Sequence, residues 1–268
     1  MHPRLKSVLV GRWSWKRMLL LPFILYGALY LFALLFANGM IFVPPAPTYR
    51  DLPGQLRLRA PDGTPIAALF LEGNPGGKVV LYSHGNAEDL GVSLTLLGAF
   101  QAAGYSVMAY DYEGYGRSGG SPSETNCYRD IDAAYEWLTR DRGVDPSRII
   151  AYGRSVGSGP SVDLAARQPV GGLVVESGFT SAFRVLTRWK LLPFDKFDNL
   201  AKIGRVTCPV LFIHATGDRI VPDHHGKALY AAARQPKRFV SIDGSGHNSL
   251  FFDAGDRCLA EMQRFFGQ

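Results

Sequence analysis

The chain has 268 residues, a net charge of +6, three cysteines and 47% hydrophobic residues. That length suits one large α/β domain with a core that needs no staples. Cys127, Cys208 and Cys258 are too few and too far apart for a disulfide framework, leave room for at most one pair, and form no metal-ligand spacing. The charge does not mark a nucleic-acid binder. Arg4, Lys6, Arg12, Lys16 and Arg17 hold five of the six excess charges within residues 1–17, and the rest has no basic stripe interleaved with aromatics.

Residues 1–17 therefore read as a basic cytoplasmic tail. From Met18 to Tyr49 there is no charged side chain. A transmembrane helix is expected over 18–43, since about 20 apolar helical residues span a bilayer core. Trp13 and Trp15 stand where an aromatic belt would sit, and Pro44, Pro45 and Pro47 end the helix. A cleaved signal peptide is the competing reading, but its apolar region is typically about 7–15 residues. With the basic residues ahead of the span, the N-terminus is expected in the cytoplasm. The rest is expected outside it, on the periplasmic side in a bacterium. Residues 44–53 read as a short, stiff proline-rich linker, and 54–268 as the catalytic domain.

In that domain "GQLRLRA" (54–60) and "TPIAALFLEG" (64–73) alternate as a hairpin around Asp62-Gly63. "KVVLYSHG" (78–85) is a buried strand, followed by a helix over 89–103 and the strand "YSVMAYD" (105–111). An amphipathic helix is expected over 123–141, then the strand "RIIAYG" and a helix over 156–168. "GLVVES" (172–177), "PVLFIHA" (209–215) and "RFVSID" (238–243) are three further strands, with helices over 223–234 and 253–266. Apolar strands alternating with helices predict a mostly parallel sheet flanked by helices, with its chemistry on the loops at the carboxyl ends of the strands. Residues 178–206 are longer than an ordinary connection and read as a small cap. They hold Phe179, Phe183, Trp189, Phe194 and Phe197 among six basic and two acidic residues. A packed connector is the plainer alternative.

"GRSVG" (153–157) lies between a predicted strand and a predicted helix and fits G-x-S-x-G, a turn that lifts a serine hydroxyl above the sheet. Ser155 is the candidate nucleophile, and it needs a base. Of the six histidines, His2 is in the tail, His84 and His214 sit at strand ends, and His224 and His225 open a helix expected to face solvent. His247 follows the last strand among small residues and is the candidate base. The carboxylate that orients it is Asp218, just past the penultimate strand, with Glu176 as rival. Backbone N–H groups of Val156 and of Asn86 or Ala87 are the candidate oxyanion donors. Asp111 and Ser118 are expected to brace loops.

"SHGNAED", "DYEGYGRSGG", "YGRSVGSGPSVDLAAR", "PVLFIHATGDRIVP" and "GSGHN" carry a resemblance to the α/β-hydrolase superfamily from about residue 54 onward. Within it the chain resembles the membrane-anchored branch often described as serine aminopeptidase-like, and "PSVDLAAR" resembles that branch's eukaryotic protein depalmitoylases. Those are anchored by acylated N-terminal cysteines, which this sequence lacks, and Glu113 stands where related proteins often have a basic or aromatic residue. The resemblance implies an α/β-hydrolase fold and a serine hydrolase without cofactor or metal, with Ser155, Asp218 and His247 as its triad.

The expected function is hydrolysis of an ester or thioester in a small-molecule or lipid-linked acyl substrate, next to the bilayer. Amide hydrolysis and a catalytically silent binding protein are the alternatives.

Overall fold

The computed structural model describes residues 15–267. The basic residues before Trp15, with Trp13, lie outside the described residues. The chain divides into two compact units, the first ending at Ile41 and the second beginning at Phe42.

Helix α1 (Trp15–Ile41) makes up the described part of the first unit. Its stretch Met18–Ile41 has a mean hydropathy of 2.3 and, apart from the buried Ala37, is exposed or half-buried. At 1.5 Å per residue, 24 residues make about 36 Å, enough to cross a bilayer core of about 30 Å. The helix starts three residues before the expected Met18 and stops two before Val43.

The second unit holds an eight-stranded sheet in the order β1-β2-β4-β3-β5-β6-β7-β8. The strands are β1 (Gln55–Arg59), β2 (Pro65–Leu71), β3 (Val79–Ser83), β4 (Ser106–Tyr110), β5 (Ile149–Arg154), β6 (Gly172–Glu176), β7 (Val210–Ala215) and β8 (Lys237–Ile242). β2 runs antiparallel to β1 and β4, and every other pair is parallel. β3, β6 and β7 are buried along their whole length. Each large aliphatic side chain so covered contributes about 1.5–3 kcal/mol, which is why these strands read as unbroken apolar runs.

Helices α2 (Leu90–Ala102) and α8 (Leu250–Phe266) cover one face of the sheet. Helices α3 (Glu124–Glu136), α4 (Ser158–Arg167), α6 (Asn199–Ile203) and α7 (His224–Ala232) lie on the other. α3 passes into a π-turn over Trp137–Asp141, where one continuous helix was expected. α8 begins three residues before the expected start and is kinked at Ala254. β3 has β4 on one side and β5 on the other, so the chain reverses its winding direction between β3 and β5, the position where α/β sheets place their ligand sites.

Two further expectations change. The segment 44–53 is not a free tether. Thr48 N–H donates to Asp89 Oδ2 at 2.7 Å, Tyr49 is buried with its hydroxyl on Asp111, and Val43 N–H reaches Asn86 Oδ1 at 3.0 Å. The segment 178–206 is two things at once. Phe179 and Phe197 are core residues, Phe197 packing edge-on against Phe42, Tyr128 and Phe179. Helix α5 (Ala182–Thr187) and the turn after it are open instead, with Leu186 78% and Trp189 73% exposed. The three cysteines are free thiols.

Candidate active site

β5 delivers Ser155 directly into a one-turn 3-10 helix, Ser155–Gly157, that leads into α4. Ser155 has φ +51, a left-handed conformation costly for a residue with a Cβ. The turn is tight enough that a Cβ on Gly153 would collide with the Gly157 carbonyl, and one on Gly157 with the Ser83 carbonyl. The two glycines of the motif let β3 and β5 close up and hold the serine in that conformation. Ser158 Oγ closes the turn by donating to the Ser155 carbonyl at 2.7 Å. Val156 N–H stands in the first turn, where backbone donors have no intrahelical acceptor.

The loops after β7 and β8 meet at this turn. His247 Nε2 lies 2.9 Å from Ser155 Oγ, and His247 Nδ1 lies 2.6 Å from Asp218 Oδ2. Asp218 is fixed in place because its Oδ1 accepts the N–H groups of Ile220 at 2.9 Å and Val221 at 2.8 Å. Burial opposes its ionisation. Hydrogen bonds from His214 and His247, the charge of His247 and the Val221 N–H outweigh it and hold the carboxyl well below the usual range. His214, at the end of β7, donates from Nε2 to the Val221 carbonyl at 2.8 Å and so stiffens the Asp218 loop. The geometry can relay a proton from a hydroxyl to an imidazole backed by a carboxylate.

Glu176 is held away from this line. Its Oε2 accepts the Tyr152 hydroxyl and its Oε1 the Arg154 Nε at 3.2 Å, and the side chain is 1% exposed. On the loop after β3, Ala87 has φ +57 and its N–H turns back to the Asn86 carboxamide at 3.1 Å. Asn86 Oδ1 also accepts the Tyr115 hydroxyl at 2.6 Å. Of the two expected donors on this loop, the Ala87 N–H is thus engaged within it. Asp111 accepts the Leu90 N–H at 2.9 Å and the Tyr49 hydroxyl, and burial lifts its carboxyl to about 6. Ser118 Oγ donates to the Asp111 carbonyl at 2.8 Å and accepts the Ala67 N–H at 2.9 Å, so both act within the loop framework.

Three placements differ from the sequence reading or were absent from it. His225 is buried, with Nδ1 2.9 Å from Thr180 Oγ1, and burial lowers its imidazole to about 4. Arg154, an unconstrained position of the motif, links Glu88 and Glu176. Glu113 lies inside the domain rather than at the site, accepting Asn126 Nδ2 at 2.9 Å. Among the described residues no group of histidines, cysteines and carboxylates is arranged to hold a metal ion.

Residues 74–202 match the family model described as "Serine aminopeptidase, S33". The alpha/beta hydrolase domain-containing protein 17B of Homo sapiens is 36% identical over 263 residues, covering 87% of this chain and 91% of that protein. Its counterpart in Xenopus tropicalis is 36% identical over 245 residues, covering 80% of this chain and 85% of that one. Among solved structures, an esterase of Pyrococcus furiosus superposes with a TM-score of 0.70 at 17% identity, covering 84% of this chain and 100% of that one. That likeness is one of fold. With the sheet order, the serine turn and these relatives together, the chain belongs to the α/β-hydrolase superfamily and, within it, to the family of the alpha/beta hydrolase domain-containing proteins 17.

Proposed function

We propose that the protein is a membrane-anchored serine hydrolase that cleaves an ester or thioester acyl bond through Ser155, His247 and Asp218. The observation that carries this reading is the unbroken line from Ser155 Oγ to His247 Nε2 at 2.9 Å and from His247 Nδ1 to Asp218 at 2.6 Å. In it, Ser155 Oγ attacks the acyl carbonyl and its proton passes to His247 Nε2. Asp218 holds the tautomer and stabilises the imidazolium. The tetrahedral oxyanion takes N–H donors from Val156 and, of the two expected donors on the loop after β3, from Asn86. The imidazolium then protonates the departing alcohol or thiol. Water, deprotonated by the same imidazole, hydrolyses the acyl-enzyme and frees the serine. None of these steps calls for a cofactor.

A fluorophosphonate probe tests the nucleophile: it is expected to label the wild-type protein at Ser155 and to leave Ser155→Ala unlabelled. Absence of labelling in active, folded wild-type protein would remove the reading. Amide hydrolysis is the second reading, favoured by the description of the family model. Against it, two carboxylates near the site that could capture a free amine, Glu88 and Glu176, are already paired with Arg154. A panel of p-nitrophenyl esters and aminoacyl anilides separates the two.

The anchor in this reading is α1. The charge asymmetry across it puts the N-terminus in the cytoplasm and the second unit outside, so alkaline phosphatase fused after residue 50 should be active. A silent phosphatase with an active cytoplasmic reporter at the same junction would reverse the topology. Lipid-linked acyl substrates suit the exposed Leu186 and Trp189, which lie among Arg184, Arg188 and Lys190 as in segments that meet an anionic headgroup layer.

A further inference from the structure

Two loops of the site and the end of a neighbouring strand converge on one cation that takes no part in the proton transfers. Arg154 is the last residue of β5 and stands in register with Glu176 on β6. Its side chain is 11% exposed. Nε donates to Glu176 Oε1 at 3.2 Å, Nη1 pairs with Glu88 Oε1, and Nη2 donates to the main-chain carbonyl of His247 at 3.3 Å. Glu88 uses its other oxygen, Oε2, to accept the N–H of Gly85 at 3.0 Å. One planar guanidinium beside Ser155 therefore reaches the loop of the expected oxyanion donors, the end of β6 and the backbone of the base.

We propose that Arg154 is a positioning residue that keys the 85–88 loop and the His247 main chain to the nucleophile turn. This rests on the serine-hydrolase reading above. Oxyanion donors act only when they sit about 2.7–3.1 Å from the developing charge, and here they come from two strands whose loops could shift independently. A fork with five donors in fixed directions can satisfy three acceptors at once, and it stays charged at any working pH. Lysine, a point charge on a flexible stem, cannot span all three. The motif asks nothing of this position, so its occupant is free to be recruited for alignment. Glu176 then acts as Arg154's anchor, held from the far side by Tyr152.

The test uses the full-length protein in detergent, as wild type, Arg154→Gln, Arg154→Lys and Glu88→Gln. Active sites are counted with a fluorophosphonate. kcat and KM are then measured per titrated site on a short p-nitrophenyl ester, and the affinity for a phenylboronic acid, which mimics the tetrahedral intermediate, is measured alongside. Misalignment of about 1 Å costs on the order of 100-fold. Arg154→Gln should therefore lower kcat per site about 100-fold with KM within about threefold, and should weaken the boronate by a similar factor. Arg154→Lys should recover only a minor part. Glu88→Gln, which leaves the Arg154–Glu176 pair in place, should lower kcat per site about tenfold. If Arg154→Gln loses activity only through fewer titratable sites, with kcat per site and boronate affinity unchanged, Arg154 is structural and the proposal is wrong. Should that variant not fold, an unchanged kcat per site and boronate affinity in Glu88→Gln would overturn the proposal equally. A wild-type protein that never labels at Ser155 would sink the parent reading instead, a result distinct from either.

Discussion

The corners after β6 and β7 each put a carboxylate at the carboxyl edge of the sheet, one strand apart, yet they have opposite surroundings. At the β7 corner Asp218 turns one oxygen to two backbone N–H groups and the other to His247. At the β6 corner both oxygens of Glu176 are taken, by Tyr152 and by Arg154. A strand-end acid is thus not defined by its place in the fold. Its partners decide whether it can back an imidazole or only hold a framework together.

Mutation can break this contrast most sharply at the line Ser155, His247 and Asp218. Ser155→Ala and His247→Ala should each lower kcat/KM on the best ester by about 10⁴-fold or more, and the double variant should be little worse than either, because in the proposed reading the residues act as one unit. Asp218→Asn should cost about 10⁴-fold, since an amide holds the wrong imidazole tautomer. Glu176→Gln should stay within about tenfold in kcat/KM while losing about 1–3 kcal/mol of stability, read as a lower Tm, because the Arg154 guanidinium loses a charged acceptor. If instead Glu176→Gln abolishes turnover and Asp218→Asn spares it, the contrast is inverted and Glu176 is the acid.

A third buried carboxylate sharpens the comparison through pH. Burial lifts Asp130 to about 8, helped by the nearby Glu113 charge and opposed by the Glu113 N–H that it accepts at 2.9 Å. Between the unfolded value near 4 and about 8, the folded state keeps a proton that the unfolded chain has released, so stability falls as pH rises through that window. Asp218 has the opposite sign: its depressed value contributes stability above about pH 4 that is lost on acidification. Asp130→Asn should therefore flatten the fall in Tm between pH 5.5 and 8. An equally steep fall in the variant would assign the slope elsewhere. The smallest effect belongs to the exposed residues of α5 and the turn after it. Leu186→Ser with Trp189→Ser should leave a short soluble ester unaffected and lower kcat/KM on a long-chain ester a few-fold, the scale of losing modest apolar contact. Equal losses on both esters would mean that these residues shape the site itself.

Much of the fold was legible because strands buried on both faces announce themselves as continuous apolar runs, as "VVLYS" and "VLFIHA" do. The candidate site residues share a simpler signal. Ser155 follows β5 directly, Asp218 and His247 lie in the loops after β7 and β8, and parallel strands bring those loops to one edge. What local sequence could not carry is partnership at a distance. Arg154 fills a position that the motif leaves open, and its carboxylate partners sit on a neighbouring strand and on the loop after β3. The adjacent histidines at 224 and 225 look alike in sequence, but only His225 is turned inward, to Thr180. Prolines at 44, 45 and 47 describe a linker by composition, while Thr48 and Tyr49 find their partners beyond β3 and β4.

That last feature bears on the order of events during synthesis. The strap of residues 43–49 leaves the ribosome before everything it binds, since Asn86, Asp89, Asp111 and Tyr115 all follow it in the chain. Domains take shape as their residues emerge, so the strap has nowhere to seat until Tyr115 is out. The 86–89 loop reaches its final form only when an earlier segment is laid back over it. A version of the domain begun at residue 54 lacks that segment altogether: Asp89 and Asp111 would each lose donors, and Asn86 would lose the Val43 N–H. The natural starting point for a minimal hydrolase domain is therefore Phe42, where the compact unit itself begins.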